Sequence, residues 1–465
     1  MQVDGNGATF RRPSESASSL AKKLGLADAL ALSLAIVGPS MAMAFNVSLA
    51  ARAAGRAAPL AFAIGTVALG IVALSFVSFS RRVAHAGSAY AYISQVFGQR
   101  WGFLAGWTLL LTYLTFASGV SALIGNFLRA AAQNYGIQNS GLWLAASLSG
   151  LLLGCFCAYR DMRLTSRLML LLEAISVLAI ILLCVTVLTK VATTAGLSAA
   201  PFAPAADFNR WSGVGYAMVF CVLSFAGFEG AATLGEETLN PHRSIPIAIL
   251  GTCALAGVFY VFVAYAQVMG YGLSAANDLA NASAPLNDLA IKYMSREFAT
   301  AVDLAAAISA FSCVLGSLSA AARLLFALGR AGLGPRIGDV HPVHGTPGAA
   351  VIISGLICAA CLALWAPFTG PANYCAYLST IGSLALILVY IGVTAAESVD
   401  AFGARRMAWA MCGLGGTGAL LWPLYNSLYP APAFPNNQWP YLVAAWVIAG
   451  AALLLIFPGR RPTNA

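Results

Sequence analysis

The sequence contains very little charge for its length. Of its 465 residues only 9% are Asp, Glu, Lys or Arg, whereas 60% are hydrophobic and the mean hydropathy is +0.81. Soluble domains carry roughly 25% charged residues, and a surface so poor in charge would not stay hydrated. The composition therefore excludes a water-soluble globular protein and predicts an integral membrane protein whose main solvent is lipid.

Signatures of catalysis, metal binding and nucleic-acid binding are also missing. The sequence has no P-loop, no G-x-S-x-G motif and no cluster of acidic and histidine ligands. The net charge of +9 comes from cations in short loops between apolar runs, which is not a nucleic-acid-binding patch. The ten cysteines lie in apolar runs and are interpreted as packing residues. We expect neither an enzyme nor a cofactor or metal site.

What the sequence does contain is a series of long apolar runs. A helix needs about 20 apolar residues to cross the hydrocarbon core, and lipid offers no partner for backbone groups outside helices or closed barrels. The runs are too long and too uniformly apolar for a barrel. Twelve transmembrane helices are predicted, at Ala29–Ala51, Leu60–Ser80, Trp101–Leu128, Leu142–Tyr159, Leu168–Thr189, Val214–Leu234, Ile245–Leu273, Ala299–Leu328, Ala349–Phe368, Tyr374–Ala396, Met407–Tyr429 and Trp439–Phe457.

The basic residues predict the orientation of these helices. If both termini are cytoplasmic, 18 of the 25 Lys and Arg residues lie inside and 7 lie outside. The outside set is Arg52, Arg56, Arg129, Lys190, Arg210, Lys292 and Arg296. This excess follows the positive-inside rule and predicts a multi-pass protein of the cell membrane, plasma or inner, with both termini in the cytoplasm.

The first predicted helix contains residues that interrupt a helix. Gly38, Pro39 and Ser40 begin about nine residues into the run, at a depth of roughly 13 Å. Proline removes a backbone donor and glycine permits unwound backbone, so a break here would expose N–H groups at a helix end. A simple proline kink would explain the same residues.

The sixth predicted helix favours the break over the kink. It contains Ser224, Gly227, Glu229 and Gly230 inside an otherwise apolar run. Breaks at corresponding positions of two halves point to a transporter site, and helices one and six correspond in a five-plus-five inverted repeat. A carboxylate this deep costs roughly 2.5–3.5 kcal/mol on insertion scales, so Glu229 is expected to face the bundle interior. It either carries a proton or meets a substrate amine, or it braces the broken helix.

Three groups of motifs resemble the amino acid–polyamine–organocation (APC) family of permeases. Together with the twelve predicted helices, this resemblance covers nearly the whole chain, and the order and spacing of the motifs make it specific. The motifs are Gly227-Phe228-Glu229 followed by Glu236-Glu237, Asn240-Pro241, Arg243 and Ile245-Pro246; Arg82 followed by Ala86-Gly87-Ser88-Ala89-Tyr90-Ala91-Tyr92, Gly98 and Gly106-Trp107; and Ala322-Arg323 followed by Gly329 to Pro335 and Thr346-Pro347.

The resemblance implies an all-α, LeuT-like fold with broken helices 1 and 6. Residues 26–400 would form the inverted-repeat transport core of ten helices, after a cytoplasmic tail at 1–25. Residues 401–465 would supply helices 11 and 12 and a short cytoplasmic tail. It also implies alternating access to a substrate site at the two breaks.

The resemblance further implies roles for residues at the breaks. A substrate carboxylate would meet the backbone of Ser40, Met41 and Ala42 after Gly38. Its amine would meet carbonyls of Leu223, Ser224 and Ala226 before Gly227, and Phe225 is a candidate gate. This chain departs from the family's pattern at Pro39, which has no backbone N–H to donate to a substrate carboxylate.

The resemblance also bears on the means of coupling. Some proton-coupled members of the family have a lysine midway along helix five, where this chain has Ser176. Glu229 is the alternative candidate for coupling to a co-transported proton. Coupling to sodium is less favoured, although the hydroxyls of Ser309 and Ser312 are available for it.

The predicted function is secondary active transport of amino acids by symport or exchange. The alternative is a permease for amines such as ethanolamine, polyamines or γ-aminobutyrate-like compounds. Pro39 and Glu229 favour this alternative. A channel or a transport-inactive sensor is disfavoured, because no predicted helix has repeated polar residues and no output domain is present.

Overall fold

The computed structural model describes residues 25–82, 89–138, 141–160, 163–234, 238–330, 335–339 and 346–456. Within these ranges the chain forms sixteen α-helices. The first eight are α1 (Leu26–Val37), α2 (Pro39–Ala54), α3 (Ala58–Ser80), α4 (Ala89–Phe97), α5 (Gln99–Gln133), α6 (Leu142–Arg160), α7 (Arg163–Thr194) and α8 (Arg210–Phe225). The others are α9 (Pro241–Tyr271), α10 (Ala276–Asn281), α11 (Pro285–Tyr293), α12 (Arg296–Leu328), α13 (Gly348–Thr369), α14 (Pro371–Gly403), α15 (Met407–Asn426) and α16 (Trp439–Ile456).

Ten stretches of the described residues are long and apolar enough to cross a membrane. They are Pro39–Ser80, Gln99–Gln133, Leu142–Arg160, Leu171–Thr194, Arg210–Ala232, Pro241–Tyr271, Arg296–Leu328, Gly348–Thr369, Pro371–Gly403 and Asn436–Leu455. The prediction of an all-helical, multi-span membrane protein is thus confirmed.

The predicted number of twelve spans differs from these ten at two places. The first predicted span is divided at Gly38 into α1 and α2, and α2 together with α3 forms a single apolar stretch, Pro39–Ser80. The eleventh predicted span coincides with α15, which is not among the ten because its glycines and its polar end at Asn426 dilute its hydropathy. The count of twelve stays a prediction.

The bundle is organised around α5, whose apolar core is completely buried. It packs along α12 and α14, while α2 packs against α8 and α3 against α9. The outward face is apolar, as lipid requires, with Phe368 of α13 87% exposed and Val258 of α9 74% exposed. The long helices α5, α12 and α14 therefore lie around the ends of α1 and α8.

Four charged side chains join α3, α14 and the start of α15. Arg82 pairs with Glu397 at 2.9 Å and also with Asp400, and Arg406 pairs with Asp400 at 2.6 Å. The Glu397 side chain is fully buried and accepts a further bond from the Ser78 hydroxyl at 2.7 Å. All three helix ends lie on the side predicted to be cytoplasmic, so these ion pairs hold the helices together at that side.

Glu397→Gln is expected to lower the free energy of unfolding by about 1–2 kcal/mol. The amide keeps the bond from Ser78 but loses the charge that faces Arg82 and Arg406, which are about one-third exposed and recover some hydration. Thermal unfolding of the purified protein in detergent measures the loss. The control is Asp400→Asn, whose partly exposed side chain should matter less; a larger effect there would contradict the assignment.

Candidate functional site

The first break lies between α1 and α2. Gly38 adopts left-handed backbone (φ 53°, ψ 61°), a conformation that glycine adopts without a steric penalty, and Pro39 follows as the first residue of α2. The N–H of Gly38 still bonds the carbonyl of Leu34 at 3.0 Å, which closes the last turn of α1. The break therefore places a carbonyl end of α1 next to an N–H end of α2.

The second break lies after α8. That helix ends at Phe225, Gly227 has φ 104°, and a 3-10 helix continues from Phe228 to Leu234. The two breaks touch, because Gly227 lies directly against Ile36 of α1. Ser33 of α1 also links them, since its hydroxyl donates to the Phe228 carbonyl at 3.2 Å and accepts from the N–H of Ala231 at 2.9 Å.

The predicted N–H donors at the start of α2 lie together, and each has a partner within the protein. The N–H of Ser40 donates to Glu173 Oε1 at 2.8 Å, and that of Met41 donates to Ser309 Oγ at 3.1 Å. The N–H of Ala42 donates to the Gly38 carbonyl at 2.9 Å. A carboxylate of the protein itself thus occupies the anion-binding end of this helix.

Glu173 lies five residues into the fifth predicted helix, a position that predicts a side chain at the membrane interface, and this prediction is wrong. The residue is only 5% exposed and reaches the first break. The error came from the helix start, because α7 begins at Arg163 rather than at Leu168, so Glu173 lies ten residues along it. Ser176, the position compared with the family's lysine, only bonds its own helix at the Leu172 carbonyl.

The carbonyl side of the site is formed by the end of α8. The Ser224 carbonyl accepts from the Tyr260 hydroxyl at 2.7 Å, and the Leu223 carbonyl accepts from the N–H of Ala226 at 3.1 Å. The Ser224 side chain accepts from Asn46 Nδ2 at 2.9 Å, which ties α8 to α2. Phe225 packs edge-on against Tyr260, with ring centroids 5.0 Å apart.

A small cavity lies where the two breaks meet. Its volume is about 10 Å³, the space of about one water molecule, so a substrate can enter only if the surrounding helices separate. Of the predicted residues, Met41, Ala42, Leu223 and Ala226 line it. The other lining residues are Ile36, Val37, Asn46, Phe116, Val120, Leu123, Cys313, Cys375 and Ser379.

Gly38, Ser40, Ser224, Phe225 and Gly227 are not among the lining residues. They lie immediately behind the lining and shape it through backbone conformation and hydrogen bonds. Phe116 of α5 is the aromatic side chain in the described lining, and it was not anticipated. Its sequence neighbourhood contains no charged residue, so only the packing of α5 against the breaks identifies it.

Glu229 lies behind the second break and is 2% exposed. Its Oε2 accepts from the N–H of Gly227 at 3.1 Å and from the Tyr390 hydroxyl at 2.7 Å. Its Oε1 accepts from the Tyr113 hydroxyl at 3.4 Å. Within the described part of the chain no Lys or Arg pairs with it. These contacts suit a carboxylate that holds the broken backbone in place.

The two tyrosines were missed by sequence reasoning. Tyr113 and Tyr390 lie inside long apolar runs, away from the interfaces where tyrosine is usually found in membrane helices. That position was a usable signal of a buried polar partner. The described residues include no group of three His, Cys, Asp or Glu side chains that could hold a metal ion.

Most of this chain is similar in sequence to known membrane transporters. The sequence model of the family described as Amino acid permease matches residues 30–414 of this chain. The chain is 29% identical to the branched-chain amino acid permease BcaP of Lactococcus lactis, with 66% of this chain and 68% of that protein covered. It is 27% identical to the low-affinity putrescine importer PlaP of Escherichia coli, with 74% and 75% covered. It is 28% identical to the human cationic amino acid transporter 4, with 67% and 50% covered.

Proposed function

The chain belongs to the amino acid permease family, within the APC group, and on that premise we propose that it is a secondary active transporter of amino acids or related amines. It is a membrane transporter and not an enzyme. The relatives named above are described as permeases or transporters for branched-chain amino acids, putrescine and cationic amino acids. Their common chemical feature is an amine group, which is the feature that we assign to the substrate.

One observation carries the proposal: two buried helices end beside each other, at a small cavity. The carbonyl ends of α1 and α8 carry the negative ends of their helix dipoles, and such ends suit a cationic ammonium group. The cavity wall is otherwise mainly apolar, which suits a hydrocarbon side chain. A polar head and an apolar tail are the two parts of such a substrate.

The proposed site consists of the two breaks and the residues beside them. Gly38 and Gly227 permit the breaks, Met41, Ala42, Leu223 and Ala226 contact the substrate, and Ser40, Ser224 and Phe225 support them from behind. The cavity in this conformation is too small to hold such a substrate. Opening it alternately to either face is the movement by which we propose that transport occurs.

We further propose the LeuT-like arrangement for the surrounding helices. Residues 26–400 would form the two inverted repeats, in which α1 with α2 corresponds to α8 with its following 3-10 helix, and residues 401–465 would add two helices. The interruption of both elements by a positive-φ glycine supports this correspondence. We place the protein in the cell membrane with both termini cytoplasmic, as the basic residues favour.

Uptake into proteoliposomes made from the full-length protein tests the proposed function. Radiolabelled amino acids and amines are offered under three separate conditions: an inward proton gradient, an inward sodium gradient and unlabelled counter-substrate inside. We expect saturable uptake of at least one amine-bearing compound that exceeds empty liposomes. Symport predicts accumulation with an ion gradient alone, whereas exchange requires the internal counter-substrate.

Absence of uptake under all three conditions, from protein that unfolds cooperatively, would reject a transport function. Leakage of many unrelated solutes would instead indicate a channel.

A further inference from the structure

Each helix that begins at a break carries an internal carboxylate at its start. Glu173 accepts from the N–H of Ser40 at the start of α2. Glu229 accepts from the N–H of Gly227 just before the 3-10 helix. These two N-terminal ends would otherwise attract an anionic group of a substrate. Both carboxylates are buried, so their hydrogen bonds are not weakened by competition with bulk water.

A substrate carboxylate would therefore meet an occupied site at α2. The N–H groups of Ser40, Met41 and Ala42 already bond Glu173, Ser309 and Gly38. To bind there, the substrate would have to displace Glu173 and leave a buried carboxylate without its donor, beside a second negative charge. Both the lost bond and the like-charge repulsion disfavour that exchange.

An ammonium group meets no such obstacle. The last carbonyls of α1 have no following turn to bond. The carbonyls of Leu223 and Ser224 at the end of α8 each accept one hydrogen bond and keep a second lone pair. Val37, Leu223 and Ala226 line the cavity beside these helix ends. No Asp, Glu, Lys or Arg is among the described residues that line this cavity. A second positive charge on the substrate would therefore be buried without a counter-charge, whereas an apolar tail would contact Phe116 and Leu123.

A second cavity, of about 390 Å³, lies nearer the predicted outer face. It is lined by residues of α2, α8 and α14 and by the segment around Pro430, and we call it the outer vestibule. Its charged lining residue is Arg52, whose Nε donates to the Ala280 carbonyl at 2.8 Å. A fixed positive charge at this place disfavours dications more than monocations.

We propose that Glu173 is a specificity-determining residue that keeps substrate carboxylates out, and that the substrate is a small primary amine with an apolar tail and no carboxylate. The proposal rests on the proposed transport function and narrows its substrate class. Glu173 acts by occupying the N–H groups of α2, as a tethered competitor of any substrate carboxylate. Removing it would leave those groups open to an amino acid.

Matched ligand pairs test this directly. Leucine and 3-methylbutylamine differ only by the carboxylate, and ornithine and putrescine form the corresponding pair with a second amine. Ligand-dependent thermal stabilisation of the purified protein and counterflow uptake in proteoliposomes are measured for each compound. For the wild type we expect 3-methylbutylamine to bind at least about tenfold more tightly than leucine, the worth of one charge-assisted hydrogen bond. Putrescine should bind more weakly than 3-methylbutylamine.

Two variants and one control separate this role from a structural one. Glu173→Ala should shift the leucine-to-amine affinity ratio toward leucine by at least about tenfold, because the N–H of Ser40 is released. Glu173→Gln, which keeps an acceptor but not the charge, should give a smaller shift in the same direction. Ser176→Ala, one turn away on α7 and bonded only within that helix, should leave the ratio unchanged.

The wild-type ratio is informative even if a variant fails to fold. Wild-type protein that binds leucine as well as the amine would overturn the proposal, and so would a ratio that Glu173→Ala leaves unchanged. In either case the proposed transport of amino acids or related amines would stand. If neither class is bound or carried by folded protein, the proposed function itself is rejected, and the substrate proposal falls with it.

Discussion

Gly227→Ala is expected to abolish transport and to destabilise the protein by about 3 kcal/mol or more. Gly227 has φ 104°, which an alanine adopts only under strain, and a Cβ at this position would overlap the Ile36 side chain at the end of α1. Relief of the backbone strain or of the overlap would move the two breaks apart. Since the cavity lies between these breaks, the substrate contacts should be lost with the geometry.

Thermal unfolding and uptake in proteoliposomes measure the two effects, with Gly70→Ala as the matched control. Gly70 lies within α3, and a Cβ added there would have no other heavy atom within 4 Å, so alanine should be neutral or slightly stabilising. The double variant Ile36→Ala with Gly227→Ala should recover part of the stability by relieving the overlap but not the backbone strain. Normal transport by Gly227→Ala would show that the break does not need this conformation.

Glu229→Ala is expected to lose transport and about 3–5 kcal/mol of stability. It removes the acceptor of the Gly227 N–H and of the Tyr390 and Tyr113 hydroxyls, all buried. Glu229→Gln should retain most of both properties. Its amide oxygen can replace Oε2, which takes the two shorter bonds, and its amide nitrogen can donate to Tyr113.

The tyrosines provide graded controls for this prediction. Tyr390→Phe removes the 2.7 Å bond and should destabilise the protein more than Tyr113→Phe, which removes only the 3.4 Å bond. The uptake assay decides whether Glu229 also carries a proton. A Glu229→Gln protein that folds normally and still exchanges substrate, but no longer accumulates it with a proton gradient, would contradict a purely bracing role.

Much of the fold was accessible from the sequence because hydropathy and helix-breaking residues act locally. The low charge and long apolar runs predicted a helical membrane protein, and ten spans of the described chain agree with that. The count of twelve stays a prediction, since the run interrupted at Gly38 and the glycine-rich helix α15 are less apolar or less regular than the other spans. The Gly227 break was also visible, but the start of α7, and with it the depth of Glu173, was not.

The sequence by itself determined the solvent of this protein and the places where its helices are interrupted. Glycine and proline act on their own backbone, and an apolar run is favourable in lipid whatever its neighbours are. Only the tertiary structure decided which groups meet at the breaks. Ser40 meets Glu173 from 133 residues away, and Glu229 meets Tyr390 from 161 residues away. Such pairs depend on how α7 and α14 pack against the breaks, because a buried donor bonds whatever acceptor the packing places within reach.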